Sequence, residues 1–142
     1  MKKKISVLIL AIAFIACDTN DETKINNTDL VGSWNWTGTD GGMAYHIHAT
    51  PASTGKNIQF RLMKNYSYSI YENGNEIEKG TYELSKKKSI YTGEMERYIQ
   101  CSENKNIQNV VTNGIITVYD TNKLDISDNN YDGIGSGFEK MK

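Results

Sequence analysis

Apolar and polar residues alternate along most of the chain after residue 30, and this period of two limits the fold more than any other feature. Ile58, Phe60 and Leu62 fall on one face of an extended segment, with Gln59 and Arg61 on the other. Because successive side chains of a strand point to opposite faces, the pattern predicts half-buried strands. No window has the spacing of a long amphipathic helix. The chain is therefore predicted to be all-β.

Turn residues divide the alternating segments into hairpins. Asn73-Gly74 suits the positive φ angles of a two-residue turn, and it predicts a hairpin that joins 66–72 to 75–84. Asn113-Gly114 predicts a second hairpin, and Asp120-Thr121-Asn122 a further turn. Lys86-Lys87-Lys88 is interpreted as a solvated hairpin tip. The other candidate strands are the segments 33–37, 44–48, 90–101, 123–127 and 134–140.

The total is about eight to ten short strands within residues 30–142. A sheet of this size either closes into a barrel or splits into two packed layers, because open edges invite aggregation. The alternation alone does not choose between a barrel and a sandwich.

The first residues have the order of an export signal. Lys2, Lys3 and Lys4 precede an apolar run over residues 5–16, which ends at the small residue Ala16. Twelve residues of helix rise about 18 Å, whereas the hydrocarbon core of a bilayer is roughly 30 Å thick. Residues 1–16 are therefore predicted to be a signal peptide rather than a membrane span.

The signal ends on a second recognisable motif. Phe14-Ile15-Ala16-Cys17 resembles the lipobox of bacterial lipoproteins. The resemblance implies that Cys17 is acylated and that membrane lipid is its partner. Residues 17–29 are then the lipidated cysteine and a flexible acidic tether, and residues 30–142 the folded domain. The acidic residues after Cys17 resemble the export signals of Bacteroidetes lipoproteins, which implies a location at the outer membrane or cell surface.

Leu30-Val31-Gly32-Ser33-Trp34 resembles the Gly-x-Trp opening of lipocalins. Residues 50–56, 80–82 and 130–133 are similar to further stretches of the lipocalin-like lipoproteins of Bacteroidetes. The resemblance implies an antiparallel, eight- to ten-stranded lipocalin-like barrel in which Trp34 closes one end. In lipocalins an arginine of the last strand stacks on this tryptophan, and here Lys140 is the only base of that strand.

Tyrosine is abundant, with 9 residues, and its amphipathic ring suits a half-wet ligand cavity as well as any β surface. The leading hypothesis is a barrel that binds a small, partly apolar molecule. The alternative is an envelope interaction module that binds a protein or polysaccharide through its outer face or loops, around a filled barrel. The size of the interior cavity separates the two. The candidate ligand-lining residues are Trp36, Tyr45, Tyr66, Tyr68 and Tyr82.

Residues 128–139 match the pattern of a calcium-binding loop, with acidic or amide side chains at alternate places, then a glycine and a late glutamate. Asp128, Asn130, Asp132 and Glu139 would supply the ligands, so Ca²⁺ is the one candidate cofactor. The competing interpretation is an ordinary Asn-Asp-Gly turn before the last strand. The segment before the loop looks like a strand and the chain is too short for an exit helix, which favours the turn.

Charge and missing motifs exclude other classes. Of 16 basic residues three precede Cys17, which leaves 13 against 17 acidic residues, a poor balance for binding nucleic acid. No nucleophile elbow, phosphate-binding loop or zinc-protease motif occurs, and the chain is not expected to be an enzyme. His46 and His48 lack a third metal ligand at a readable spacing. Cys101 is interpreted as a small buried residue, and the protein is expected to be a monomer.

Overall fold

The computed structural model describes residues 24–103, 105 and 107–142. The predicted signal peptide, Cys17 and the first part of the predicted tether lie outside the described residues. The fold is nearly all-β, with 54% of residues in strands and 6% in helices. The strands are β1 (Gly32–Gly41), β2 (Ile47–Ala49), β3 (Ile58–Leu62), β4 (Ser67–Glu72), β5 (Asn75–Lys88), β6 (Met95–Cys101), β7 (Gly114–Tyr119), β8 (Lys123–Ser127) and β9 (Ile134–Lys140). A 3₁₀ turn, Met43–Tyr45, follows β1, and a short helix, α1 (Pro51–Thr54), precedes β3.

The strands form one antiparallel sheet that closes on itself. Their order is β2-β1-β3-β4-β5-β6-β7-β8-β9, and β1 also pairs with β9. Trp34 of β1 lies opposite Phe60 on one side and opposite Lys140 on the other. The short strand β2 pairs with the last residues of β1. The predicted lipocalin-like barrel is confirmed as eight strands in a closed ring with one strand added.

Two of the predicted turns are confirmed. Asn73 and Gly74 have φ angles of 51° and 85° and join β4 to β5. Asp120 and Thr121 also have positive φ angles, 51° and 58°, and the turn they form joins β7 to β8. The predicted boundaries of β8 and β9 match those of the structure.

The hairpin predicted at Asn113-Gly114 is wrong. Where it is described, the chain between β6 and β7 is a long connection without strands, and Gly114 is the first residue of β7. Gly114 has a φ angle of 158°, and a Cβ atom there would lie 1.9 Å from the carbonyl oxygen of Ser127. The close approach of β8 therefore requires glycine at this position, not a turn.

The predicted hairpin tip at residues 86–88 is also wrong. These three lysines are the last residues of β5 and lie opposite residues 95–97 of β6. The turn follows at residues 89–94, so the predicted strand 90–101 begins only at Met95. Exposed charged side chains do not interrupt the backbone ladder, and the strand continues through them.

Side chains fill the interior of the barrel. Phe60 meets Tyr68 edge to face, with 5.9 Å between the ring centroids, and Phe138 at 6.0 Å. The predicted core residues Ile58, Phe60 and Leu62 all point inward and are buried. The largest fully buried side chains are Trp34, Tyr68, Tyr82, Phe60, Leu30, Leu62, Ile70, Ile99, Leu124 and Ile126.

Trp34 lies near the start of β1 and is buried in the core. The indole Nε1 donates a hydrogen bond of 2.7 Å to the carbonyl oxygen of Leu30, and both residues are fully buried. The Lys140 Nζ lies 5.1 Å from the centroid of the Trp34 ring. A lysine of the last strand thus makes the cation–π contact with this tryptophan.

The folded domain begins earlier in the chain than the predicted boundary at residue 30. Asn27 is only 4% exposed, and its Nδ2 donates to the carbonyl oxygens of Met63 and Lys64. The Tyr66 hydroxyl donates a hydrogen bond of 2.9 Å to the carbonyl oxygen of Ile25. The last residues of the predicted tether are therefore docked on the barrel.

Candidate functional site

The five residues predicted to line a ligand cavity do not share one. Trp36 and Tyr68 are core residues, and the Trp36 Nε1 donates to the Thr39 Oγ1 at 3.0 Å. Tyr82 is buried, and Tyr66 is half-buried beside it, with 5.6 Å between the ring centroids. Tyr45 is 76% exposed, on the outside of the barrel.

Tyr68 has a structural partner that the sequence did not reveal. Its hydroxyl donates a hydrogen bond of 2.6 Å to the Oε1 of Glu78, which is buried. The Oε2 of Glu78 accepts a hydrogen bond from the backbone N–H of Lys105 at 3.1 Å. Burial, followed by the hydrogen bond to Glu78, raises the pKa of Tyr68. Through these hydrogen bonds, Tyr68 of β4 and Glu78 of β5 hold the connection between β6 and β7 against the two strands.

Several depressions lie on the described surface of the barrel. Five of them, of about 280 to 550 Å³, are open to solvent, and none of these five is an enclosed barrel cavity. The one of about 550 Å³ borders Tyr66, Tyr82 and Leu84, where the N-terminal segment meets β5. Only two of the five predicted lining residues therefore share an open depression.

The residues of the calcium-loop pattern do not converge. Asp128, Asn130 and Asp132 lie in the turn between β8 and β9, where the Asp128 Oδ1 accepts a hydrogen bond of 3.2 Å from the Asn130 N–H. Glu139 lies in β9 opposite Lys123, five residues past Ile134 and therefore about 16 Å along the strand. Within the described residues no group of three or more histidine, cysteine, aspartate or glutamate side chains could hold a metal ion. The geometry thus matches the ordinary turn.

The two histidines do not form a joint site either. The His48 Nδ1 lies 2.7 Å from the Asp40 Oδ1, whereas the His46 ring contacts the carbonyl oxygen of Met43. Cys101 is 2% exposed, and burial raises the pKa of its thiol. The interpretation of Cys101 as a small buried residue is confirmed.

Three exposed tyrosines surround one depression at the far end of β1. Tyr45 is 76% exposed, Tyr91 56% and Tyr131 91%, and all three line the same depression of about 390 Å³. Tyr45 belongs to the 3₁₀ turn after β1, Tyr91 to the β5–β6 turn and Tyr131 to the β8–β9 turn. We call these three residues and the depression between them the tyrosine surface.

Glycines allow the loops of the tyrosine surface to approach one another. The Gly42 N–H donates a hydrogen bond of 2.9 Å to the carbonyl oxygen of Gly133, which joins the end of β1 to the β8–β9 turn. Gly41 has a φ angle of 128°, and a Cβ atom there would lie 2.4 Å from the same oxygen. Side chains at this crossing would separate the loop of Tyr45 from the loop of Tyr131.

Asn129 brings the β5–β6 turn to the same place. Its Oδ1 accepts a hydrogen bond of 2.9 Å from the Ile90 N–H, and its Nδ2 donates to the carbonyl oxygen of Lys88 at 3.1 Å. The Tyr91 hydroxyl then donates to the carbonyl oxygen of Asn130 at 2.9 Å. Burial, and after it the negative charge of Asp128, raises the pKa of Tyr91, so the hydroxyl stays protonated as a donor.

The backbone of the loop that carries Tyr45 is in an unfavourable conformation. Ala44 and Tyr45 have φ angles of 57° and 52°, in the left-handed region that side chains other than glycine rarely adopt. Such residues cost about 1–3 kcal/mol each and persist where the surrounding structure holds them, often at binding sites. The lining of the depression contains the carboxylates of Asp40 and Asp132 and no lysine or arginine. The tyrosine surface is therefore aromatic, acidic and conformationally defined.

The fold and this surface define a closed antiparallel barrel with a packed interior and an aromatic loop surface. Comparison with known proteins finds no matching family model, no matching curated protein and no matching solved structure. In the part of the chain that the structure describes, no helix has the length and apolar character needed to cross a membrane.

Proposed function

We propose that this protein is a lipid-anchored interaction module of the bacterial cell envelope that holds a partner at the tyrosine surface. The observation that carries the proposal is the gathering of Tyr45, Tyr91 and Tyr131 from three loops around one depression. Large aromatic rings grouped in solvent mark interaction sites, because tyrosine supplies apolar contact area together with a polar tip. The filled interior favours this module over a carrier that encloses its ligand.

The position of the surface is consistent with an N-terminal anchor. The N-terminal segment meets β1 at Gly32, and the tyrosine surface lies beyond Gly41 at the other end of the strand. The ten residues of β1 span about 30 Å. A barrel held through Cys17 would therefore present the tyrosine surface away from the membrane.

The anchor is tested by labelling growing cells with an alkyne analogue of palmitate. The unchanged protein and Cys101→Ala, the matched control for the second cysteine, are expected to incorporate the label. Cys17→Ser is expected to remain unlabelled. Labelling of Cys17→Ser at the level of the unchanged protein would overturn the proposed anchor.

The partner site is tested by sedimentation of the full chain, in detergent micelles, with envelope fragments of the producing bacterium. The fragments are first washed with detergent until their lipid is removed, so that acyl chains do not drive binding. The double variant Tyr45→Ala/Tyr131→Ala is expected to bind at least about tenfold more weakly, the effect of losing central aromatic contacts. Tyr119→Ala is the control, because Tyr119 is 41% exposed but lies outside the tyrosine surface. Equal binding by the double variant would refute the site.

The depression beside Tyr66 and Tyr82 favours a second candidate function, the binding of a small, partly apolar molecule. Its volume of about 550 Å³ is within the range of small-ligand sites, about 300–1,000 Å³. Native mass spectrometry of the protein purified from its own host would detect such a ligand as added mass. A spectrum that shows only the mass of the processed protein, with no added mass, would exclude this second function.

A further inference from the structure

We infer that the ligand of the tyrosine surface is an uncharged polysaccharide of the envelope, an inference that rests on the proposed function. Sugar rings would stack on Tyr45 and Tyr131, and their hydroxyl groups would bond to Asp40 and Asp132. Four features of the surface lead to this ligand: its exposed rings, its carboxylates, its bare backbone and its fixed loop conformation.

The exposed rings match the shape of a sugar. One face of a pyranose ring presents C–H groups and its edge presents hydroxyl groups, and a tyrosine offers an apolar face with a polar tip. Tyr131 is 91% exposed and Tyr45 is 76% exposed, so both rings are accessible to a flat ligand. The depression between them, of about 390 Å³, is open to solvent rather than enclosed. A long polymer can therefore lie across it with both of its ends outside the site.

The charges of the surface separate a sugar from other partners. Carboxylates accept hydrogen bonds from neighbouring hydroxyl groups, and Asp40 is held in place by the His48 Nδ1 at 2.7 Å. Since no lysine or arginine lines the depression, an anionic polymer has no counter-charge there. The core of a protein interface is depleted of aspartate, which makes two carboxylates within the depression unfavourable for a protein partner.

The backbone leaves room for a ring to approach. Four glycines line the depression, Gly41, Gly42, Gly133 and Gly135, so part of its wall consists of peptide groups without side chains. The positive φ angles of Ala44 and Tyr45 define the backbone conformation of the loop from which the Tyr45 side chain projects. Preorganisation of this kind reduces the entropic cost of binding.

The chemical nature of the partner is tested on the same washed envelope fragments. Periodate, which cleaves vicinal diols, is expected to abolish the binding that depends on Tyr45 and Tyr131, and protease treatment of the fragments to leave it unchanged. Loss of binding after protease but not after periodate would overturn the polysaccharide inference and leave the proposed function intact. Absence of any binding that depends on Tyr45 and Tyr131 would overturn both.

Two further experiments test whether the polymer is uncharged and whether Asp132 contributes to its binding. Binding of an uncharged polymer is expected to be the same at about 0.1 M and about 1 M salt, although the Debye length falls from about 10 to 3 Å. A steep loss of affinity with salt would overturn the uncharged assignment. Asp132→Ala is expected to weaken binding at least about tenfold, and Asp120→Ala, in the exposed turn between β7 and β8, to leave it unchanged. Equal binding by both variants would exclude the role of Asp132.

Discussion

The Asn27 side-chain amide donates a hydrogen bond of 2.6 Å to the Tyr82 hydroxyl, although 55 positions separate the two residues. Tyr82 is buried and the Asn27 side chain also reaches two backbone carbonyl groups of the β3–β4 turn. One amide of the N-terminal segment therefore bonds to polar groups of two other segments, the β3–β4 turn and β5. The N-terminal segment is part of the fold through this residue.

Replacement of Asn27 by alanine is expected to lower the free energy of unfolding by about 1–3 kcal/mol. The buried Tyr82 hydroxyl would lose the amide donor that it accepts from, although it keeps its own hydrogen bond to the Met63 carbonyl, and the loss of a buried hydrogen-bond partner is costly. Urea unfolding measures the change. Asn75→Ala, at an exposed position at the start of β5, is the control and is expected to change stability by less than about 0.5 kcal/mol. Equal midpoints for the two variants would contradict the role of Asn27.

Two glycine variants separate backbone strain from steric overlap. Gly55 has a φ angle of 68° with nothing within 4 Å of a built Cβ atom, and Gly55→Ala is expected to cost about 1–2 kcal/mol. At Gly114 the Cβ atom would lie 1.9 Å from the Ser127 carbonyl oxygen, so Gly114→Ala adds a clash between β7 and β8. Its urea midpoint is expected to fall further than that of Gly55→Ala. The reverse order would show that β7 and β8 can separate without cost.

The ion pair of Asp29 and Arg97 predicts a pH dependence. A hydrogen bond from Arg97 holds the pKa of Asp29 below its ordinary value of 3.8, although burial opposes the shift. Since the folded-state pKa is depressed, the stabilisation is present above 3.8 and is lost as the pH falls through the lower folded value. The difference in melting temperature between the unchanged protein and Asp29→Asn is expected at neutral pH and should vanish in acid. The pair is partly exposed, so its contribution is at most about 1 kcal/mol. A difference that persists in acid would exclude the ionic mechanism.

Melting curves of the protein in millimolar calcium and in chelator are expected to coincide. Glu139 lies in β9 beside Asn35 and Lys123, so the last ligand of the calcium-loop pattern is not at the loop. A bound ion at a hundredfold excess over its Kd would add about 2.7 kcal/mol and shift the melting temperature clearly. A calcium-dependent shift that disappears in Asp128→Ala would restore the calcium interpretation.

The alternation of apolar residues was sufficient to predict the strands and the inward face of the sheet. Ile58, Phe60 and Leu62 are buried as the pattern requires, because a strand has only two faces and only one meets the core. The Asn73-Gly74 turn was predictable for a local reason, since both residues tolerate a positive φ angle. Asn113-Gly114 has the same two residue types, but Gly114 is the first residue of β7, and the close approach of β8 determines its conformation.

The tyrosine surface was beyond sequence reasoning for a physical reason. Tyr45 was predicted to line a cavity, and Tyr91 and Tyr131 carried no signal that distinguishes them from the core tyrosines. A tyrosine ring suits a core position and an exposed loop position equally well. Which of the two it occupies depends on the segments that cover it in the folded chain.

By itself, the sequence determined the all-β class, the inward and outward faces of the strands and the turns whose conformation is local. The tertiary structure decided that side chains fill the barrel, that Asn27 belongs to the fold and that three distant tyrosines meet around one depression. The physical reason is the range of the interactions. Alternation and turn chemistry act between neighbours in the chain, whereas the burial of Tyr82 and the exposure of Tyr131 depend on how the closed sheet brings its loops together.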